Sequence, residues 1–69
     1  MNIKLERIKR NIKQKELADE LGITTQYLRL IELGKVDIRR NLMIKIAKIL
    51  NVSIQELFFS EIKEENRWV

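Results

Sequence analysis

Residues 14–34, QKELADELGITTQYLRLIELG, decide the fold of this 69-residue chain. Leu17 and Leu21 are four apart and share one face of a first helix; Leu28 and Ile31 are three apart and share one face of a second. Ala18, beside Leu17, leaves room for a second backbone to approach. Gly22 stops the first helix, because glycine enters the left-handed conformation at little steric cost. Thr24 caps the second helix, with Ile23 before the cap and Leu28 at the fourth helical position, the spacing of a hydrophobic staple. Gly34 closes that helix as Gly22 closes the first. Helices this short are marginal alone in water, so the rest of the chain must act as their platform.

That remainder reads as helical too. Proline is absent, glycine occurs twice, and the period-two alternation of strands is missing. Residues 2–10 form a first helix, with Asn2 as its cap and Leu5 and Ile8 as its apolar edge. Ile12 and Leu17 repeat the staple spacing around Lys13, a poor cap that Glu16 supports from the third helical position. A fourth helix begins between Ile38 and Asn41 and ends at Leu50, with Met43, Ile46, Ala47 and Leu50 as its buried stripe and Asn51 as its stop. Ser53 and Glu56 make a capping box, and Val52 and Leu57 a staple, for a short fifth helix ending near Phe58 or Phe59.

Composition excludes several functions. Without cysteine there is no disulfide or thiolate metal site, and without histidine no imidazole for acid–base work or zinc binding. An enzyme is therefore not expected, nor any metal, cofactor or small-molecule ligand. Glu16, Asp19 and Glu20 read as a solvated face. The apolar runs are too short for a membrane span or a secretory signal, and a cytoplasmic location is expected. The formal charge of +4 is unevenly spread: residues 1–48 carry 12 basic and 6 acidic side chains, residues 49–69 carry 2 and 4. A basic front and an acidic rear suit a polyanion bound on one side.

Several independent features then converge: Gln14 at the start of the second helix, Leu17-Ala18, Gly22, the run from Leu28 to Glu32, Gly34, Lys45-Ile46-Ala47-Lys48, and Ser53 with Glu56-Leu57-Phe58. Over roughly residues 3 to 59 the chain resembles the Cro/CI-like, XRE-type helix-turn-helix DNA-binding domains of phage repressors. The resemblance implies an all-α, five-helix lambda-repressor-like domain over residues 1–59, with the helix-turn-helix in helices 2 and 3. Residues 60–69 would be a charged C-terminal tail, open to joining a dimer interface. Asn11 stands where the family often has glycine, Lys13 where it has serine or threonine, and Ile38 where it often has proline.

The resemblance also implies roles. Arg7 would reach Glu32 as a structural ion pair joining helices 1 and 3. Gln14 would touch the DNA backbone and brace helix 3. Thr25, Gln26 and Leu30 would meet base edges, where glutamine can pair with adenine and a methyl can pack on thymine. Thr24 joins the DNA-contacting set, with Tyr27, Arg29, Lys35, Arg39 and Arg40 as phosphate ligands. Tyr27 is open between that role and partial burial beside helix 2; Lys35, Arg39 and Arg40 are open to being simply a solvated loop. Leu30 is open between thymine and a protein partner, and Leu33 replaces the polar residue usual before the glycine. Ile54, Phe59 and Trp68 are the expected dimer contacts. The leading expectation is a bacterial or phage homodimeric repressor on a near-palindromic operator. It would act by steric occlusion, since the remaining length holds no further domain. The rival is an adaptor or antitoxin-like module that uses the same helices to hold a protein.

Overall fold

The structure, a computed structural model, describes residues 2–58. Helices α1 (Ile3–Lys9), α2 (Gln14–Leu21), α3 (Thr25–Glu32) and α4 (Arg40–Leu50) are followed by a fifth helical segment, α5, over residues 54–58. Among the described residues there is no strand, and the fold is all-α. No described helix is long and apolar enough to cross a membrane.

Each of the first four helices stops on one residue in the left-handed conformation: Asn11 (φ 58°), Gly22 (φ 71°), Gly34 (φ 72°) and Asn51 (φ 56°). At each stop two backbone bonds fold the chain back over the last turn. At α2 they run from Gly22 N–H to the Asp19 carbonyl, 3.2 Å, and from Ile23 N–H to the Ala18 carbonyl, 3.0 Å. Paired bonds of this kind satisfy carbonyls that the helix leaves without partners. Asparagine serves twice because its short polar side chain tolerates this conformation.

The helix starts are equally local. Thr24 Oγ1 accepts from Tyr27 N–H at 3.0 Å, and Ser53 Oγ accepts from Glu56 N–H at 3.0 Å. At α2 the Glu16 carboxylate accepts from Lys13 N–H at 2.8 Å, which is the half of a capping box that survives when the cap residue is a lysine with no side-chain acceptor. Asn2 occupies the cap position of α1 without a side-chain cap bond; its backbone N–H instead reaches the Leu57 carbonyl at 3.3 Å and ties α1 to α5.

The core is one cluster. Leu17, Ala18 and Leu21 of α2 meet Leu28 and Ile31 of α3, and Ile46, Ala47 and Leu50 of α4 close over them with Ile3, Leu57 and Phe58. Fully burying one such leucine or isoleucine contributes about 2 kcal/mol. Met43, Leu42 and Ile49 are half-buried at its margin.

Helix α1 corrects one expectation. Leu5 and Ile8 do not face the core; they are 53% and 55% exposed, and Ile3 and Arg7 are buried instead. Ile3 and Arg7 are four apart and share a face, with Leu5 and Ile8 on the far side. The face that α1 turns inward buries Ile3 in the core and brings Arg7 to Glu32, and Leu5 and Ile8 point outward. The expectations for Phe59, Trp68 and the 60–69 tail lie outside the described residues.

At Gly22 a Cβ would meet no atom within 4 Å, so any penalty there is conformational. Gly22→Ala is expected to lower the unfolding free energy by about 1 kcal/mol. Gly22→Asn should cost less, as Asn11 and Asn51 hold the same conformation. Urea denaturation of the three proteins gives the order directly.

Candidate nucleic-acid interface

Helix α3 is fixed from two sides. Leu28 and Ile31 lock its inner face into the core. At its last residue the Glu32 carboxylate takes a forked pair of bonds from Arg7, Nε to Oε2 at 2.8 Å and Nη2 to Oε1 at 3.1 Å. Gln14 Nε2 donates to the same Oε1 at 3.0 Å, and Arg7 Nη1 donates to the Ile12 carbonyl at 3.0 Å. The two charged side chains are only 9% and 3% exposed. One carboxylate thus joins α1, the start of α2 and the end of α3. The Gln14–Glu32 bond is the detail that helix periodicity does not reveal.

The outer face of α3 points away from the core. Thr25, Gln26, Arg29 and Leu33 are exposed, and Leu30 is half-buried. Thr24 is exposed, and its oxygen is occupied as the cap acceptor, leaving the hydroxyl proton to be donated elsewhere. Tyr27 is half-buried against the core, at a cleft it shares with Leu21, Ile23, Arg39 and Lys45. Lys45 Nζ approaches the Leu21 carbonyl at 3.5 Å, near the end of α2.

Besides Arg7, three cations on or beside α1 and α2 are paired: Arg10 meets Glu6 at 2.7 Å, Lys9 meets Glu6 at 3.4 Å, and Lys15 meets Asp19 at 3.1 Å, whereas Lys4 and Lys13 are exposed and make no ion pair with another described residue. The Arg10 guanidinium, aided by Lys9, holds the Glu6 carboxyl below its ordinary value. Around the far end of α3 and the start of α4, Arg29, Lys35, Arg39 and Arg40 are exposed and make no ion pair with another described residue. Arg39 is the cap residue of α4, and Arg40 is its first residue rather than part of the loop. Ile54 is half-buried on α5 and lines a cleft with Ile38, Arg40 and Met43.

An arrangement of this kind, one helix buried behind and a second with its outer residues free, is the unit that enters a DNA major groove. The sequence profile of the helix-turn-helix family matches residues 3–57. The chain belongs to that family. It is of the XRE type, and membership carries DNA binding in transcription regulation with it. The chain is 39% identical over 59 residues to an uncharacterized HTH-type transcriptional regulator of Methanocaldococcus jannaschii, covering 86% of this chain and 89% of that protein. It is 35% identical over 66 residues to an uncharacterized HTH-type transcriptional regulator of Archaeoglobus fulgidus, covering 96% and 90%. Both relatives are archaeal, whereas the sequence suggested a bacterial or phage source. No solved structure matches significantly.

Removing Arg7 would strand the Glu32 carboxylate in a nearly closed site. Arg7→Ala is expected to cost about 3 kcal/mol, as one-sided loss of a buried pair does. Lys9→Ala, on the solvated side of the same helix, should leave stability nearly unchanged. Thermal melts of both variants test this, and equal melting points would count against the clamp.

Proposed function

We propose that this helix-turn-helix protein is a sequence-specific repressor that binds double-stranded DNA as a homodimer on a near-palindromic operator. One observation carries the reading. The exposed face of α3 holds Thr25, Gln26 and Arg29, and the exposed cations Lys35, Arg39 and Arg40 follow it in the chain.

The first turn of α3 enters the major groove. Gln26 is placed to make a bidentate pair with adenine, and the Thr25 methyl to pack against thymine. Leu30, one turn on, meets the same groove. Arg29, Lys35, Arg39 and Arg40 grip phosphates, with the Thr24 and Tyr27 hydroxyls as neutral donors. Gln14 bonds Glu32 through its amide nitrogen, which leaves its remaining amide hydrogen to reach the DNA backbone.

A single copy reads few base pairs, so two copies on two half-sites supply affinity and specificity. Their centres would lie about 34 Å apart or a multiple of that. The pairing surface includes Ile54 on α5, with Phe59 and Trp68 beyond the described residues. Repression follows from occupancy of a promoter, and the protein works in the cytoplasm.

A second reading, an adaptor that holds a protein on the same helices, draws on one feature: Leu33 is 55% exposed on the outer face of α3. Salt separates the two. Phosphate contacts release counterions, so DNA affinity should fall steeply as salt rises, whereas an apolar protein interface would scarcely respond.

Selection of bound sequences from a random duplex pool supplies the operator. On it, Gln26→Ala is expected to cost about 1–3 kcal/mol and relax preference at one base pair. Lys35→Ala should weaken all duplexes alike and reduce the salt slope by about one. Fluorescence anisotropy across a salt series measures both. Unchanged affinity and preference in Gln26→Ala would place the reading register elsewhere.

A further inference from the structure

Leu33 and Leu30 stand where a DNA-reading helix ordinarily offers polar groups, and their register says what they meet. An exposed leucine means little by itself: Leu5 and Ile8 of α1 are as exposed as Leu33. Leu33 differs in its alignment. It follows Gln26 by seven residues, so the two side chains point within about 20° of each other. Along the helix axis they are about 10 Å apart. Leu33 keeps right-handed helical dihedrals (φ −82°, ψ −6°), and its N–H still bonds the Arg29 carbonyl at 3.0 Å, so the helical register extends to it. Leu30 lies one turn from Gln26 on the adjoining edge.

We infer that Leu33, with Leu30 beside it, reads thymine 5-methyl groups in the major groove, and that the operator carries thymine near the step read by Gln26. The inference rests on the DNA-binding reading above and names the base chemistry of that site. Composition and charge favour this occupant over an apolar protein surface. Leu33 sits in a stripe with Gln26 and Arg29 and two residues before Lys35, so the face mixes hydrogen-bonding, cationic and apolar groups. The major-groove edge of an A·T pair offers a donor, acceptors and one methyl, and cations flank it to meet the phosphates. Leucine lacks a hydrogen-bonding group, so its only selective contact there is with that methyl.

The test uses deoxyuridine, which pairs as thymine does but lacks the methyl. Each thymine in one half-site of the selected operator is replaced singly, and the full chain is titrated with each duplex. Wild-type protein should bind about fourfold more weakly at one or two positions, as expected for one buried methyl removed. Leu33→Ala or Leu30→Ala should abolish the difference at its own position. Leu33→Ala should melt with the wild type, since Leu33 is 55% exposed and outside the core. Wild-type protein that binds every uracil duplex as tightly as the thymine duplex would overturn the inference and leave the DNA-binding reading intact. Methyl sensitivity that persists in both leucine variants would overturn it as well. Failure to bind any duplex would overturn the parent reading and favour the adaptor.

Discussion

The carboxylate of Glu32 is the joint on which this small domain turns. Three donors converge on it, Arg7 Nε and Nη2 and Gln14 Nε2, at 2.8, 3.1 and 3.0 Å. Such a pair gives little net stabilisation over a well-packed apolar substitute, because both charges lose their water. Its directionality is what apolar packing lacks. Leu28 and Ile31 set which way α3 faces about its axis, and the forked bond to α1 fixes where along that axis it stops. A reading helix needs both, since a one-residue slip would bring other side chains to the groove.

Local ion pairs separate the charges further. Arg7 is consumed by the joint, and Arg10 and Lys9 by Glu6. The cations that make no ion pair with a described residue therefore include Arg29, Lys35, Arg39 and Arg40, around the end of α3 and the start of α4. In the proposed function, a duplex presented to α3 would meet hydrogen-bonding groups and two leucines at the centre, with positive charge alongside. Specific DNA binding is built in that way, with phosphates positioning the protein and base edges selecting the sequence.

Helix starts and stops were legible in the sequence because caps are local. Thr24, Gly22, Gly34, Asn51 and Ser53 each act through neighbours within a few residues, and each takes the conformation or cap bond its type favours. The core stripes of α2, α3 and α4 were legible for the same reason. The face of α1 was not. Leu5 and Ile8 have the spacing of a buried edge, yet a long-range bond between residues 7 and 32 turns that edge outward. No window of local sequence contains that competition. The bond from Gln14 to Glu32 is likewise set by tertiary placement, as is the tie between Asn2 and Leu57. In the candidate interface, residue types pointed to the chemistry. The spacing of Gln26, Arg29 and Leu33 already places them on one side of α3, but how far Leu33 is exposed needed the folded chain.

The most direct measurement is a backbone amide NMR titration of the full chain with its selected operator duplex. Shift changes should concentrate on Thr25, Gln26, Arg29, Leu30, Leu33 and Lys35, with the exposed pair Leu5 and Ile8 on α1 unmoved. Changes centred on Leu5 and Ile8, with α3 silent, would contradict the claim that the clamped outer face of α3 is the surface that meets DNA.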